Sequence, residues 1–263
     1  MCSYGSSYEG CGDIVQLVAD WREKGKGLRE TERLAKEVKE FAVRSGADLV
    51  GIVSAATIDA LPPVWVGWTI REYTGKTTDT MPDAKSIIVV GYNVWDEMLE
   101  TAIRKDGGWV YPGYFPLTTI TLRVARFLET GGFKTALSFT GSYKRLAQLA
   151  GFGNYGKNSL IINPVYGPWI RLAPILTNAE IIADKPFETD LCGECDACIK
   201  ACPMGALSPY RVDDAKCLVG LHLNDLGGSR YVEAIRRFEP ALSRCSHLMC
   251  MECQKACRYG KRG

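Results

Sequence analysis

The sequence predicts a layered α/β domain followed by a small cysteine-rich domain. Two observations support this prediction. Strand-like and helix-like segments alternate over residues 28–185, which is typical of helices packed on a sheet. Beyond them the composition changes, because nine of the 11 cysteines lie in the stretch 192–257. We therefore expect a polar, glycine-rich irregular arm over 1–27, an α/β domain over 28–185 and a cysteine-rich domain over 186–263.

The first half of the α/β domain combines one clear helix with two buried strands. The residues that recur at helical spacing are Leu34, Val38, Phe41 and Ala42. Gly46 stands where a C-terminal cap is expected. The apolar runs DLVGIV at 48–53 and SIIVVGY at 86–92 are suited to buried strands.

The second half continues the alternation. Helices are predicted at 95–105, at 116–130 and, in SYKRLAQLA, at 142–150. The helix at 116–130 has the strongest apolar stripe, formed by Leu117, Ile120, Val124, Phe127 and Leu128. FKTALSF, SLIIN and WIRLAPIL are the strand-like runs of this half, and Pro164 and Gly167 mark a turn between the last two.

Composition excludes several classes of protein. Lys and Arg total 32 against 30 Asp and Glu, so the net charge predicts no nucleic-acid partner. Two histidines, His222 and His247, are too few for a multi-histidine metal centre. No export signal is recognisable, and no apolar run reaches the roughly 18 residues that a membrane span needs. We expect a cytoplasmic protein, in which clustered cysteines bind metal more often than they form disulfides.

The cysteine-rich segment has the spacing of a bacterial ferredoxin. The run from Cys192 to Pro203 reads C-x2-C-x2-C-x3-C-P, a pattern whose first three cysteines ligate one [4Fe–4S] cluster and whose fourth ligates another. The later run from Cys250 to Cys257 supplies further ligands. The predicted ligands of the first cluster are Cys192, Cys195, Cys198 and Cys257. The predicted ligands of the second are Cys202, Cys217, Cys250 and Cys253.

Three cysteines remain outside this assignment. Cys245 is an alternative to Cys217, because spacing alone does not choose between them, and Cys2 and Cys11 are interpreted as ordinary thiols. Structural zinc and disulfides are the competing interpretations, but zinc sites rarely show four cysteines in this run followed by proline. Basic residues near the last ligands either favour the reduced clusters, dock an acidic donor protein or form a solvated terminus. They are Lys255, Arg258, Lys261 and Arg262.

Residues 151–158, GFGNYGKN, nearly match two nucleotide-binding patterns. They approach a phosphate-binding loop, and Gly151, Gly153 and Gly156 satisfy G-x-G-x-x-G. Both motifs need a strand before the glycines and a helix after them. Here a helical pattern precedes and an extended pattern follows, so we reject both. The glycines indicate tight turns or close backbone approach to a large cofactor.

The stretch LAGFGNYGKNSLIINPVYGPWIRLAPILTNAEIIADKP and the following CGECDACIKACPMGAL closely resemble the epoxyqueuosine reductase family and its relatives, the reductive dehalogenases. GADLVGIV and MPDAKSIIVVGY also resemble family segments. The resemblance implies a cobalamin-dependent iron–sulfur reductase with a nitroreductase-like α/β sandwich domain and a small ferredoxin-like domain carrying two [4Fe–4S] clusters. It also supports Cys217, rather than Cys245, as a ligand. The implied contacts of base-off cobalamin are Gly153, Gly156, Lys157, Asn158 and Ser159.

The sequence also departs from the family pattern. Family members carry an acidic proton donor in a D-S-A-P stretch, where this chain has LSFT at 137–140. The helical repeats of many tRNA-acting members and the export signal of respiratory dehalogenases are not recognisable, so neither tRNA epoxide nor organohalide is assigned as substrate. Tyr143 is the candidate catalytic proton donor, as a tyrosine is in dehalogenases; packing of its ring in the core is the alternative. Arg171, Trp65 and Trp68 are candidate pocket walls or, alternatively, core and surface residues.

The predicted function is an oxygen-sensitive cytoplasmic reductase. Single electrons would pass from ferredoxin or flavodoxin through two [4Fe–4S] clusters to a corrinoid cobalt, as the resemblance implies. The alternative, favoured by the missing carboxylate, is an electron-transfer protein that reduces a partner enzyme or corrinoid protein and has no substrate of its own. A third possibility is a flavin in place of the corrinoid, because nitroreductase-like folds commonly bind flavin.

Overall fold

The structure is a computed structural model that describes residues 29–62, 74–223 and 232–261. The arm predicted at 1–27 and the tryptophans Trp65 and Trp68 lie outside these residues, as do Cys2, Cys11 and Arg262. Within them, helices and small antiparallel sheets are mixed, which confirms the predicted fold class. No helix in the described ranges is long and apolar enough to cross a membrane.

The secondary structure follows the chain in this order. The helices are α1 (Glu30–Arg44), α2 (Ala55–Asp59), α3 (Thr77–Thr80), α4 (Phe115–Thr130), α5 (Tyr143–Leu149), α6 (Ala197–Ala201), α7 (Leu218–Leu223), α8 (Val232–Phe238) and α9 (Glu252–Lys255). The strands are β1 (Leu49–Ser54), β2 (Ser86–Asn93), β3 (Thr101–Lys105), β4 (Gly108–Val110), β5 (Thr135–Ala136), β6 (Asn154–Tyr155), β7 (Ile161–Ile162), β8 (Ile170–Thr177), β9 (Leu207–Ser208), β10 (Arg211–Val212), β11 (Ala241–Ser243) and β12 (Ser246–Leu248). Two 3₁₀ helices cover Glu97–Glu100 and Pro112–Tyr114.

The central sheet has the strand order β1-β2-β8-β5, and its neighbouring strands are antiparallel. β2 is buried on both faces. Ile87 and Val89 belong to one apolar cluster, whereas Ile88 and Val90 belong to another. Since successive strand residues point to opposite faces, this double burial explains why the segment reads as an uninterrupted apolar run.

Helices cover both faces of this sheet. On one face α1 and α4 pack together, with the rings of Phe41 and Phe127 stacked 4.7 Å apart. The predicted apolar stripe of α4 is confirmed, because all five of its residues are buried. Gly46 follows α1 with a φ of +104°, a left-handed conformation that glycine adopts without a steric penalty. The predicted cap of this helix is therefore confirmed.

The short helix α5 lies on the opposite face, and a glycine allows its close approach. A Cβ atom on Gly51 of β1 would lie 2.6 Å from the carbonyl oxygen of Ala150, closer than real Cβ atoms come. Leu146 and Ala147 of α5 are fully buried in this contact layer. The end of the helix is thus fixed on the sheet, and its first turn, with Tyr143, projects toward the cysteine-rich part.

The helix predicted at 95–105 is wrong beyond its first turn. Residues Glu97–Glu100 form a 3₁₀ helix, and the chain then continues as β3. β3 lies in a second sheet of order β11-β12-β3-β4, so strands from both sides of residue 185 share one sheet. The domain division at that residue stays a prediction, although backbone pairing crosses it.

The chain reaches the cysteine-rich part along a segment that is fixed to the α/β part. The Asp184 carboxylate accepts a hydrogen bond from the backbone N–H of Ile52 at 2.8 Å and pairs with Lys39. Further along, the N–H of Leu191 donates to Oδ1 of Asn154 at 3.2 Å. These bonds place the first ligand run directly beside the glycine turn.

Candidate functional site

The predicted ligands of the first cluster lie together. A small cavity is lined by all four, Cys192, Cys195, Cys198 and Cys257. We call these four residues the first cysteine set. The set joins the start of the ferredoxin-like run to the last cysteine of the chain. Nearby side chains fasten its loops, because Arg258 Nη2 donates to the Leu191 carbonyl at 2.8 Å and Lys157 Nζ donates to the Gly193 carbonyl at 2.6 Å.

The predicted ligands of the second cluster also lie together, in a different place. Cys202, Cys217, Cys250 and Cys253 all line a cavity of about 590 Å³. We call these residues the second cysteine set and this space the large cavity. The second set therefore faces a ligand-sized space, whereas the first set does not line it.

None of the nine described cysteines forms a disulfide. Among the described residues, no three side chains of His, Cys, Asp or Glu converge on the position of a single metal ion. The thiols of each set instead surround a cavity. Cys245 is exposed and lines neither cavity, and its backbone carbonyl accepts a hydrogen bond from Arg104 N–H in the second sheet.

Burial and mutual repulsion disfavour negative charge on these thiols. Burial, together with the neighbouring thiols of its own set, raises the pKa of Cys198 to about 11. Burial also raises the pKa of Cys250 to about 12 and that of Cys253 still more, with Cys217 the largest charged contributor to the latter. Closely spaced thiolates in such a setting require a positively charged partner, which metal ions provide.

The large cavity has a mostly apolar wall. Its apolar residues come from the glycine hairpin, from β8 and from the cysteine-rich part, and include Leu160, Ile161, Ile170, Leu172, Leu207, Val212, Leu218 and Met249. Three buried polar atoms of the wall have no hydrogen-bond partner: Nδ2 of Asn158, Nε of Arg171 and Oε1 of Gln254. The wall thus presents both donors and an acceptor to whatever fills the space.

Glu100 and Arg171 form an ion pair in the wall of the large cavity. Glu100 is 4% exposed, and the Arg171 guanidinium also lies over the ring of Tyr114, 4.9 Å from its centroid. The structure places Arg171 in a pocket wall, as one of its two sequence interpretations supposed. Glu100 supplies a carboxylate that sequence reasoning missed, because its partner is 71 residues away and no local motif marks the pair.

The first turn of α5 contributes Tyr143 and Lys144 to the same wall. The Tyr143 hydroxyl donates to the Phe139 carbonyl at 3.1 Å, and burial raises its pKa. Burial lowers the pKa of Lys144 to about 8, while the thiols of Cys217 and Cys253 oppose that shift. Sequence reasoning overlooked Lys144, since a lysine in a short helix usually faces water.

Two of the five predicted cofactor contacts of the glycine turn line the large cavity, whereas Gly153, Gly156 and Lys157 do not. Asn158 and Ser159 line the large cavity, and Ser159 has a φ of +62°. Gly153 and Gly156 do not line it: a Cβ atom on Gly153 would lie 2.1 Å from the Ile162 carbonyl oxygen, and one on Gly156 would lie 2.5 Å from the Ile162 side chain. These two glycines let the hairpin of β6 and β7 close tightly.

The hairpin of β6 and β7 also shows which secondary-structure elements flank the glycines. α5 precedes the three glycines, β6 lies between Gly153 and Gly156, and β7 follows them. The nucleotide-binding motifs require the opposite order, so their rejection is confirmed. Lys157 and Asn158 turn toward the cysteine sets, because both line the cavity of the first set and Asn158 also lines the large cavity.

A buried carboxylate, that of Glu239, is hydrogen-bonded to the backbone of the second cysteine set. Glu239 is 4% exposed, and its Oε1 accepts a hydrogen bond from the backbone N–H of Cys250 at 3.1 Å. Burial raises the pKa of Glu239 to about 7. His247 lies 3.9 Å away, with burial lowering its pKa. This carboxylate fixes the backbone at the start of the last cysteine run.

Comparisons with known proteins agree with this arrangement. A family model described as a 4Fe-4S binding domain matches residues 185–208. The epoxyqueuosine reductase of Leadbetterella byssophila is 30% identical over 205 residues, which make up 70% of this chain and 68% of that protein. The neighbours among solved structures include an epoxyqueuosine reductase from Bacillus subtilis, with a TM-score of 0.64 and 23% identity, covering 87% of this chain and 66% of that one. A reductive dehalogenase structure, described as suggesting a mechanism for B12-dependent dehalogenation, has a TM-score of 0.60 and 18% identity, covering 95% of this chain and 36% of that one.

The fold, the 4Fe-4S domain and the relatives define an iron–sulfur reductase. The solved structures, at these identities, establish the fold alone. The curated relative is similar enough over enough of its length to establish the family. The chain belongs to the epoxyqueuosine reductase family and spans about two thirds of the length of the relatives it matches.

Proposed function

We propose that this iron–sulfur reductase is cobalamin-dependent and carries two [4Fe–4S] clusters. The observation that supports the proposal best is the division of eight cysteines into two sets. Each set takes members from both cysteine runs, and only the second set lines the large cavity. A two-cluster relay ending at a cofactor needs this asymmetry, because one cluster has to meet the cofactor and the other has to meet the electron donor.

The first cysteine set would hold one cluster and the second set the other. Four thiols per set match the four iron atoms of a cubane, whose irons take thiolate ligands. The position of Cys217 in the second set, with Cys245 outside both cavities, favours Cys217 as the ligand. The Lys157 side chain helps to hold the loop of the first set through the Gly193 carbonyl.

The large cavity fits a corrinoid by its chemistry. Its apolar wall suits the macrocycle, while the unpartnered Asn158 amide N–H, Arg171 Nε–H and Gln254 carbonyl oxygen suit peripheral carboxamides, which both donate and accept hydrogen bonds. The dehalogenase neighbour's description connects this fold with B12. When bound, the clusters supply one-electron transfer and cobalamin supplies a reducible cobalt centre.

The chain's own residues prepare the cavity for reduction chemistry. The apolar wall excludes water from the reacting centre. Tyr143 lines the cavity, and its hydroxyl, which donates to the Phe139 carbonyl at 3.1 Å, carries a proton at neutral pH because its pKa lies above the ordinary value of 10.0. Tyr143 is therefore the proposed proton donor, in place of the carboxylate that the 137–140 stretch lacks.

Ferredoxin or flavodoxin is the proposed electron donor, and its docking side is that of the first cysteine set. Of the basic residues near the last ligands, Arg258 is bonded to the Leu191 carbonyl and Lys255 is paired with Glu97 at 3.0 Å. Both side chains therefore already have a partner within this protein.

Anaerobic reconstitution with iron, sulfide and cob(II)alamin tests the proposal. We expect about eight irons per chain, since two cubanes carry four each, and a corrinoid that stays with the protein through gel filtration. Stoichiometric zinc or far fewer irons would contradict the cluster assignment. Iron–sulfur bands without corrinoid, together with co-purification of a larger enzyme, would instead favour the electron-transfer alternative. A yellow chromophore released by acid would indicate flavin.

A further inference from the structure

Lys144 lies against the second cysteine set. It lines the large cavity together with Cys202, Cys217, Cys250 and Cys253. Burial lowers the pKa of Lys144, and electrostatic interaction with Cys217 and Cys253 raises it. The position follows from the fold, because α5 is pressed onto the sheet at Gly51 and its first turn is thereby held over the cavity.

Among its described residues, the cavity wall contains one further basic side chain and one carboxylate. Arg171 is the second basic residue among the described lining residues, and Glu100 pairs with it. That pair therefore contributes little net charge. Glu239 does not line the large cavity, and it contacts the second set by accepting a hydrogen bond from the backbone N–H of Cys250. Lys144 therefore brings a positive charge to the same cavity wall as the four cysteines of the second set.

We propose that the positive charge of Lys144 raises the reduction potential of the second cluster. The inference rests on the proposed function, since it assumes that the second cysteine set holds a cluster. Reduction adds one electron, and therefore one negative charge, to a centre already bound by four thiolates. A cation fixed beside that centre stabilises the reduced form more than the oxidised form, and the effect is strong where water is largely excluded.

The effect is local to the second cluster. The basic side chains near the first set, Lys157 and Arg258, donate to backbone carbonyls along the exposed edge of that loop, where solvent ions screen charge. Lys144 does not line the cavity of the first set. The first cluster therefore serves as an internal reference within the same molecule.

The test is a redox titration of the anaerobically reconstituted protein with dithionite at pH 7, in which electron paramagnetic resonance follows each cluster. We expect Lys144→Met to lower the second cluster's equilibrium constant for reduction at least about ten-fold, which is about 59 mV for a one-electron couple. The first cluster should keep its potential. Lys144→Arg retains the charge and should restore most of the wild-type value.

Lys216→Met is the matched control. Lys216 precedes a ligand of the second set in sequence, but it is exposed and paired with Asp213 at 3.1 Å, so its removal should shift neither potential. An unchanged second potential in Lys144→Met, or an equal shift in Lys144→Arg, overturns the proposal. If Lys144→Met loses the second cluster, Lys144→Gln and Lys144→Arg are compared, and loss in the arginine variant too assigns Lys144 a structural role instead. If the wild type itself shows fewer than two cluster signals, the proposed function fails, which is a separate result.

Discussion

Gly167 and Gly260 lie backbone against backbone. Their φ angles are +58° and +64°. A Cβ atom on Gly167 would lie 2.2 Å from the Tyr259 carbonyl oxygen, and one on Gly260 would lie 2.2 Å from the Tyr166 carbonyl oxygen. This contact holds the segment just after Cys257 on the turn that precedes β8, so the last member of the first cysteine set is fixed to the α/β part.

Replacement of Gly167 by alanine should loosen this attachment. The left-handed φ disfavours any side chain by about 1 kcal/mol, and the clash with the Tyr259 carbonyl adds to that cost. We expect the free energy of unfolding to fall by more than this amount and the iron content to decrease. Thermal unfolding under anaerobic conditions and iron analysis measure the two effects.

Gly132→Ala separates the two causes. Gly132 has a φ of +88°, and a Cβ atom there would meet nothing within 4 Å, so this variant carries the conformational cost alone. It should retain full iron. Equal losses of stability and of iron in both variants would show that the tail contact has no special importance.

Variants of Cys217 and Cys245 test which of the two cysteines is a cluster ligand. Cys217→Ala removes a thiol from the wall of the large cavity and should abolish the signal of the second cluster, with the loss of about four irons. Cys245→Ala removes an exposed thiol outside both cavities and should leave iron content and spectra unchanged. The opposite pattern would transfer the ligand role to Cys245.

The pair of Glu100 and Arg171 should be strongly coupled. Removing one partner of a buried ion pair leaves a charge without compensation and typically costs about 3 kcal/mol or more. We expect Glu100→Gln and Arg171→Gln each to lower the free energy of unfolding, and the double variant to lose clearly less than the sum of the two. Additive losses in anaerobic thermal unfolding would mean that the two side chains act independently.

Tyr143→Phe tests the proposed proton donor. Loss of a general acid typically reduces turnover about 10²-fold or more, while both clusters and the corrinoid should remain bound. The measurement is the reduction rate with tRNA epoxide and with an organohalide. Tyr210→Phe, at an exposed position outside the cavity, is the control. Equal rates in all three proteins would leave Tyr143 as a packing residue.

The pH dependence of stability provides a second measurement on Tyr143. Burial raises its pKa above the ordinary value of 10.0, so the folded state binds this proton more tightly than the unfolded state does. The corresponding stability is fully present below pH 10 and is lost as the pH rises through the raised pKa. The difference in unfolding free energy between wild type and Tyr143→Phe should therefore be constant near neutral pH and decrease only in strong alkali.

The local sequence pattern was sufficient to predict a helix or strand where the buried residues repeat with the period of that element. β2 and α4 illustrate this, because the first is buried on both faces and the second along one stripe. Local pattern failed at β3, which was predicted as part of a helix. That strand forms a hairpin with β4 across Asp106 and Gly107, a turn signal that the helix prediction overlooked. On its other edge it pairs with the distant β12, with Thr101 opposite Leu248.

The sequence predicted most of the cysteines of the candidate site, but it did not predict the charged residues around them. Cysteine spacing is itself the signature of a cluster, so seven of the proposed ligands followed from it. Spacing left Cys217 and Cys245 as alternatives for the eighth. The residues around the ligands were not accessible in this way, because their importance comes from burial. Glu100, Lys144 and Glu239 are ordinary charged residues in the sequence, and only the fold reveals that each is enclosed next to the large cavity or the second cysteine set.

The interleaving of the two cysteine sets has a consequence for maturation. Cys257 joins the first set across the intervening members of the second, and Cys202 leaves the first run to join the later one. Neither proposed metal site is a self-contained loop, so inserting one centre organises the backbone that receives the other. In the wild-type chain, filling of one site is therefore expected to accelerate filling of the other.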